Sequence, residues 1–411
     1  MPEIEFVLIG NSDGILRNLP FTLNSGGFKT RAITPRHTSI YNSKFVDSRL
    51  ECPGATIEDF IESLIEIQDY LLTLDATFLW CSDEIMRRVS QSALDPKTKI
   101  HILPVKNPKY FDIFDSKVGQ VRVFQEFAYP HPESLICENP GEVDELEFFG
   151  ERQFLCKGSA GGGGSYIRKF SGVSELRGSS IPETWFPVIF QEFIPGVDVS
   201  VEAFYKRGEF ILGLYSTFSL ETAVYGPSVV REYSSEHTRH LESILEDLGK
   251  QLQIDGFVNV TLRKTDVNSY FLFEFDVRPN VWHGIYLDLE VNLKRRYEEN
   301  LKATKIEISY QQVFYEPDRL FQLSSKKRDM KLMRTCLAGN EIPGGGRAIS
   351  SEFVLSNSLF RNRFLRLLDG IFPFRKITLA VLIFSKKRMP ANLVDYIDRS
   401  PVRSVILRAL Q

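Results

Sequence analysis

The eight residues Phe273-Glu274-Phe275-Asp276-Val277-Arg278-Pro279-Asn280 alternate apolar and polar or charged side chains, the period of a β-strand with one face in a core. Positions i, i+2 and i+4 share a face, so Glu274, Asp276 and Arg278 converge while the apolar side chains point the other way. A chain that contains this segment must build a sheet with an apolar floor and a charged surface. Two carboxylates on one face can hold Mg²⁺ through a few oxygens, with phosphate oxygens and water completing the octahedron, and Arg278 would meet a phosphoryl group. The same alternation also suits a half-exposed ladder of salt bridges, so the segment alone leaves both readings open.

The rest of the chain reads as α/β followed by α+β. Ile4 to Ile9 is an apolar run ending at Gly10-Asn11-Ser12-Asp13-Gly14, a Rossmann-like strand that enters a tight loop. That loop lacks the GxGxxG spacing, which favours a structural turn over a dinucleotide site. A strand at Ala32 to Thr34, helical periodicity from Ile57 to Leu72, and strands at Phe78 to Cys81 and Ile100 to Leu103 continue the alternation. From about Asn107 the pattern turns to short β segments: 154–157, 166–170, 188–193, 199–205, 210–215, 258–263 and 270–277. After about Asp318 the composition becomes basic, with 17 Lys or Arg against 6 Asp or Glu between Leu320 and Gln411. The expected units are therefore 1–106, 107–317 and 318–411.

Two further segments carry chemistry. Phe154-Leu155-Cys156-Lys157-Gly158-Ser159-Ala160 runs into Gly161, Gly162, Gly163, Gly164 and Ser165 before another strand. Lysine offers phosphate a point charge, and glycines let backbone N–H groups approach phosphate oxygens, so a phosphate-binding lid is favoured over a flexible linker. No Gly-Lys-Ser/Thr closes the run, so it is not a Walker loop. Gln191-Glu192-Phe193-Ile194-Pro195-Gly196-Val197-Asp198 is a strand bending into a second one. Its backbone groups could read an adenine edge and Asp198 could accept from ribose hydroxyls, although an ordinary hairpin would look the same.

Composition narrows the class. A net charge of -3 excludes a molecule that binds nucleic acid by its overall charge, and no sequence-specific nucleic-acid partner is expected. Five scattered cysteines without a CxxC pair, and acidic residues where a signal peptide needs basic ones, point to a cytoplasmic protein. The longest apolar run, Ile377 to Phe384, is too short to span a bilayer. The basic tail interleaves charge with Phe, Leu and Ile, which suits packing against the acidic remainder, peripheral contact with a membrane surface, an anionic substrate or nucleic acid. No Ser-His-Asp or Cys-His arrangement stands out, and a GxSxG elbow is absent.

In order along the chain, the lysine with its glycine loop, QEFIPGVD, GFVNV and FEFDVRPN resemble the ATP-grasp superfamily, nearest to its carbamoyl-phosphate-synthase-like and D-alanine ligase-like carboxylate-amine ligases. The resemblance covers about residues 1–300, with Asp115-Ser116-Lys117 and Pro130 resembling the segment of the first nucleotide lysine. It implies a Rossmann-like pre-ATP-grasp domain, an ATP-grasp fold and a basic C-terminal module, with ATP and Mg²⁺ bound. Lys117 and Lys157 would hold the phosphates, and Ser159, Gly161, Gly162 and Gly163 would form the mobile loop. Gln191, Glu192, Phe193 and Ile194 would form the adenine hinge and Asp198 would take the ribose. Glu274 and Asp276 would hold the metal, Arg278 with Lys157 would be catalytic, and Asn280 with His283 would line the acceptor side.

Asp276 stands where the family usually has Asn, and Thr261 stands where it usually has a further acidic or amide side chain. The implied reaction joins small-molecule carboxylate and amine substrates through an acyl-phosphate, and a homo-oligomer is expected. The alternatives are a nucleotide-binding pseudoenzyme or scaffold that recruits partners through its tail, and an ATP-grasp kinase.

Overall fold

Four parallel strands open the chain: β1 (Glu5–Ile9), β2 (Lys29–Thr34), β3 (Ser48–Glu51) and β4 (Ala76–Trp80), in the order β3-β2-β1-β4. Phe6 to Ile9 are wholly buried, as a continuous apolar run should be in a parallel sheet covered on both faces. At Gly10 a Cβ would fall 2.2 Å from Cys81 Sγ, so the turn after β1 is closed by contact that only glycine allows. The computed structural model describes residues 5–13, 15–16, 19–54, 56–161, 164, 166–221, 225–234, 239–265, 269–284, 286, 292–299, 312–315 and 347–348.

The helical stretch 57–72 is two helices, Ile57–Glu66 and Gln68–Leu72. The first is started by a capping box: Thr56 Oγ1 accepts from the Asp59 N–H, and Asp59 accepts from the Thr56 N–H. The strand expected at Ile100 to Leu103 is instead the end of a helix, Pro96–Ile102. Asp95 caps it by accepting from the Lys97 N–H at 2.8 Å, Pro96 sits in its first turn, and Thr98 and Ile102 bury one face. A four-residue apolar run carries no period of its own, and the cap decides its state.

Two antiparallel sheets follow. The smaller joins β5 (Ser134–Cys137), β6 (Phe154–Gly158), β7 (Ile167–Phe170) and β8 (Val188–Glu192) in the order β5-β8-β6-β7. The larger contains β9 (Val197–Lys206), β10 (Glu209–Glu221), β11 (Ser228–Ser234), β12 (Gly256–Lys264) and β13 (Tyr270–Asp276), in the order β13-β12-β9-β10-β11. The amphipathic helix Arg239–Leu252 buries Leu241, Ile244, Leu245, Leu248 and Leu252, and Tyr205 of β9 donates its hydroxyl to the Leu245 carbonyl.

The parallel sheet meets the larger sheet through aromatic rings. Phe204 lies 4.7 Å from Phe257 and 6.1 Å from Phe6, which stands edge-on to Phe28 at 4.9 Å. Each such ring contributes roughly 1.5–3 kcal/mol by leaving water, so this seam fixes how the two sheets face each other.

The chain divides into two units, Met1–Gln312 and Val313–Gln411. In the second, the described residues are few, with Phe314 and Tyr315 paired in parallel with Arg347 and Ala348. The basic clusters of the tail lie outside the described residues. Among the described residues no helix is long and apolar enough to cross a membrane.

Candidate functional site

The site is built from three elements whose ends meet: the helix Lys117–Glu126, strand β6 with the loop after it, and strand β13. Ser116 caps the helix, its Oγ accepting from the Gly119 N–H at 3.0 Å. Asp115 just before it takes the left-handed conformation, φ 50°, which Asp tolerates better than most residues. Its carboxylate pairs with Arg87 at 3.3 Å. The turn is docked on the glycine segment: the Lys117 N–H donates to the Ser159 carbonyl at 2.8 Å, Lys117 Nζ donates to the Gly161 carbonyl, and the Ser116 and Ser159 hydroxyls are 3.2 Å apart. Gly164, at φ 76°, has its Cα so close to the Tyr225 carbonyl that a Cβ would stand 2.4 Å from that oxygen. Both ends of the glycine run are thus anchored, unlike a linker. Gly162, Gly163 and Ser165 lie outside the described residues.

Lys157 on β6 is 6% exposed and donates to Gln191 Oε1 at 2.6 Å, with its ammonium 5.0 Å above the Phe273 ring. Burial pushes its pKa down to about 8, while Glu274 and Asp198 pull it up and Lys117 and Arg263 press it further down. The two lysines and the two acids therefore face one space.

On β13 the alternation read from the sequence is interrupted. Leu272 pairs with Leu262 but Glu274 pairs with Thr261, which leaves Phe273 as a bulge between them. Its ring accordingly lies under Lys157 and not wholly with Phe275 in the core, a correction to the simple two-face reading. Beyond the bulge the period resumes, and Asp276 pairs with Asn259.

Glu274 is half-buried and makes no hydrogen bond or ion pair among the described residues, although Lys157 feels its charge. Asp276 accepts from Arg278 Nη2 at 3.2 Å, and Arg278 Nε donates to Asp83. Burial raises Asp276 to about 7; Arg278 opposes this, and Asp83 and Glu274 add to it. For Arg278, burial works against the charge, but Asp276 and Asp83 outweigh it and its pKa is raised.

Several neighbours escaped the sequence reading. Asp83 opens the helix Asp83–Gln91, where an acidic residue is unremarkable as a helix-start signal. Gln120, three residues into the Lys117 helix, grips both backbone groups of Phe275: its Nε2 donates to the carbonyl at 2.8 Å and its Oε1 accepts from the N–H at 3.1 Å. That clamp ties the helix of Lys117 to the strand of Glu274 and Asp276. Arg263 pairs with Asp198 at 3.0 Å and donates to the Gly196 carbonyl at 3.1 Å, bracing the Pro195-Gly196 turn.

The residues expected to form an adenine hinge divide. Gln191 spends its side chain on Lys157 and on Ser134, to whose Oγ it donates at 3.0 Å. Glu192 stands 3.7 Å from Arg152, and the Phe193 N–H donates to the Gln153 carbonyl at 2.9 Å. Ile194 makes no backbone hydrogen bond among the described residues. His283 is wholly buried edge-on against Phe257, with Nδ1 accepting from the Asn280 N–H, and burial pushes its pKa down to about 3. It belongs to the core beneath the sheet and does not line an acceptor pocket, which corrects its expected role.

No protein-family model matches the sequence, and no curated protein matches it. Solved structures do match by shape. The chain is similar to purK, an N5-carboxyaminoimidazole ribonucleotide synthetase in complex with ADP, at 14% identity and a TM-score of 0.51 over 68% of this chain and 71% of that one. It is similar to the biotin carboxylase domain of Hydrogenobacter thermophilus 2-oxoglutarate carboxylase, solved with ADP, MgADP and bicarbonate, at 13% identity and a TM-score of 0.52 over 76% and 72% of the two chains. The N5-carboxyaminoimidazole synthetase of Staphylococcus aureus complexed with ADP follows at 9% identity and a TM-score of 0.50, over 69% and 73%.

The chain has the ATP-grasp fold.

One further feature of this group of side chains is measurable. Glu221 at the end of β10 hydrogen-bonds to Asp198, and burial, then the Asp198 charge, raise it to about 7. Between its ordinary value of 4.5 and about 7, the folded protein keeps a proton that the unfolded chain has released, so stability must fall as pH rises through that window. Glu221→Gln retains a donor toward Asp198 and has no proton to lose. Its melting temperature relative to wild type should therefore climb between about pH 5 and about pH 8, and a difference that stays constant across that range would refute the shared proton.

Proposed function

We propose that the protein is an ATP-dependent carboxylate-amine ligase that forms an amide or peptide bond through an acyl-phosphate. The observation that carries this is Glu274: a carboxylate in the cleft, with Lys157 and Lys117 nearby and no protein partner of its own among the described residues. A half-buried anion left in that state is suited to a hard cation, and oxygen donors are what Mg²⁺ takes. Glu274 would hold the ion, with Asp276 shared between it and Arg278. When bound, the ion neutralises charge on the nucleotide phosphates.

The protein's own residues do the positioning. Lys157 and Lys117 offset phosphate charge, the Ile194 N–H donates to the adenine edge, and Asp198 accepts from the ribose. Ser159, Gly161, Gly162 and Gly163 close over the phosphates and exclude water that would hydrolyse an acyl-phosphate. A carboxylate oxygen of the first substrate attacks the terminal phosphorus and ADP leaves. The amine nitrogen of the second then attacks the acyl carbon, phosphate leaves, and the nitrogen gives up a proton. Arg278, held between Asp83 and Asp276, faces the charge that builds on the transferred group.

Thr261 favours a second reading. It stands directly across from Glu274, so an uncharged side chain occupies the neighbouring place on the cleft face, and the protein would bind nucleotide without turning it over. One experiment separates the two: calorimetric titration with a non-hydrolysable ATP analogue with and without Mg²⁺, followed by a screen of acid and amine pairs for ADP release. Mg²⁺-strengthened binding with release that needs both substrates is expected. Release with the acid alone would indicate a kinase, binding without release a pseudoenzyme, and no binding would overturn the nucleotide site.

A further inference from the structure

At the opposite edge of the parallel sheet, where β1 and β4 begin, the protein opens a cleft of about 720 Å³. Its walls come from the helix Pro96–Ile102, the β9–β10 turn, Asp255 and Tyr297, and it shares no residue with the nucleotide cleft. The volume lies in the range of small-ligand sites, roughly 300–1,000 Å³.

What distinguishes the cleft is its charge. Its three carboxylates are already engaged: Glu5 pairs with Arg31 at 2.8 Å, Asp75 with Arg207 at 3.2 Å, and Asp255 accepts from Thr77 Oγ1 and the Arg207 N–H, both at 3.1 Å. Its three lysines, Lys97, Lys106 and Lys206, form no ion pair among the described residues. Lys106 Nζ donates to the His101 carbonyl at 2.6 Å, and Lys206 Nζ donates to the Tyr297 carbonyl at 2.7 Å. Carbonyl oxygens only partly replace the water that an ammonium group loses on burial. Burial accordingly pushes Lys106 down to about 8, with Asp255 opposing the shift and Arg207 adding to it. An anion with several oxygens would give the three lysines the direct charged contact that none of them has among the described residues.

We propose that this cleft is a binding site for a small polyanion, bearing phosphate or carboxylate groups, separate from the nucleotide cleft.

The test is calorimetric titration of the full chain, with a saturating non-hydrolysable ATP analogue present to occupy the nucleotide cleft, with inorganic pyrophosphate and, separately, with citrate. At least one should bind, and which one does distinguishes phosphate from carboxylate recognition. Lys106→Met should weaken that binding by about tenfold or more, the loss expected for one charge-assisted contact, while Lys157→Met leaves it unchanged. Lys97→Gln, at an exposed position, should weaken it by roughly threefold and serves if Lys106→Met does not fold. Absence of binding by either anion would overturn the proposal. So would binding that Lys157→Met abolishes and the Lys97 and Lys106 variants leave intact, since the anion would then sit among the nucleotide phosphates' partners.

Discussion

Glu274→Gln should lower ligase turnover by about a thousandfold while leaving the protein folded. The substitution keeps the shape of the side chain and removes only its charge. Glu274 makes no hydrogen bond or ion pair among the described residues, so no native contact is broken, and the melting temperature should stay within about 1 °C, as for most substitutions that break no buried interaction. What is lost is the anchor for a cation at the phosphates. Charge stabilisation by such an ion is worth several kcal/mol, and about 4 kcal/mol corresponds to three decades of rate. The variant should also lose the Mg²⁺ dependence of nucleotide binding while retaining weak binding of the analogue alone. Wild-type turnover in Glu274→Gln would sink the metal assignment, and a large fall in melting temperature would show that the carboxylate has a structural partner instead.

Most of the sheet architecture was legible because apolar period 2 and continuous apolar runs are local signals. β1, β6, β8, β9 and β12 each stand where the pattern sets them. β3, Ser48–Glu51, escaped because four mostly polar residues at a sheet edge carry no period, and β5, Ser134–Cys137, is as short. The bulge at Phe273 was invisible for a different reason. It is defined by the pairing of β13 with β12, a relation between two segments rather than a property of either.

The site shows the same division. Lys157, Glu274, Asp276 and Arg278 could be named because each lies in a segment whose own spacing suggests chemistry. Asp83 could not, since it meets Arg278 across 195 positions of chain, and within its own segment it is an ordinary helix-start residue. Gln120 is equally silent: a glutamine inside a helix becomes a clamp only once Phe275 is brought against it. The sequence thus singled out the charged groups, while the contacts that orient them came from packing.

Lys157→Met should weaken binding of an ATP analogue by about 10- to 100-fold and remove a pH dependence that the wild type shows. A hydrogen bond to a charged group contributes about 1.5–3 kcal/mol, which sets that range. The linear methionine fills the space above Phe273, so packing is largely kept, while Gln191 Oε1 loses its donor at a cost of about 1–3 kcal/mol, offset in part by removal of a buried charge. The pH effect follows from burial. An ordinary lysine stays charged to about pH 10.5, but Lys157 in the free protein gives up its proton near 8. Phosphate binds the charged form, so binding must draw a proton back above that pH. Wild-type affinity should therefore fall about tenfold between pH 8 and pH 9.5, and Lys157→Met should be nearly flat over the same interval. Titrations of both proteins at those two pH values decide the matter: parallel pH profiles would place the titrating group elsewhere in the cleft and remove Lys157 from the phosphates.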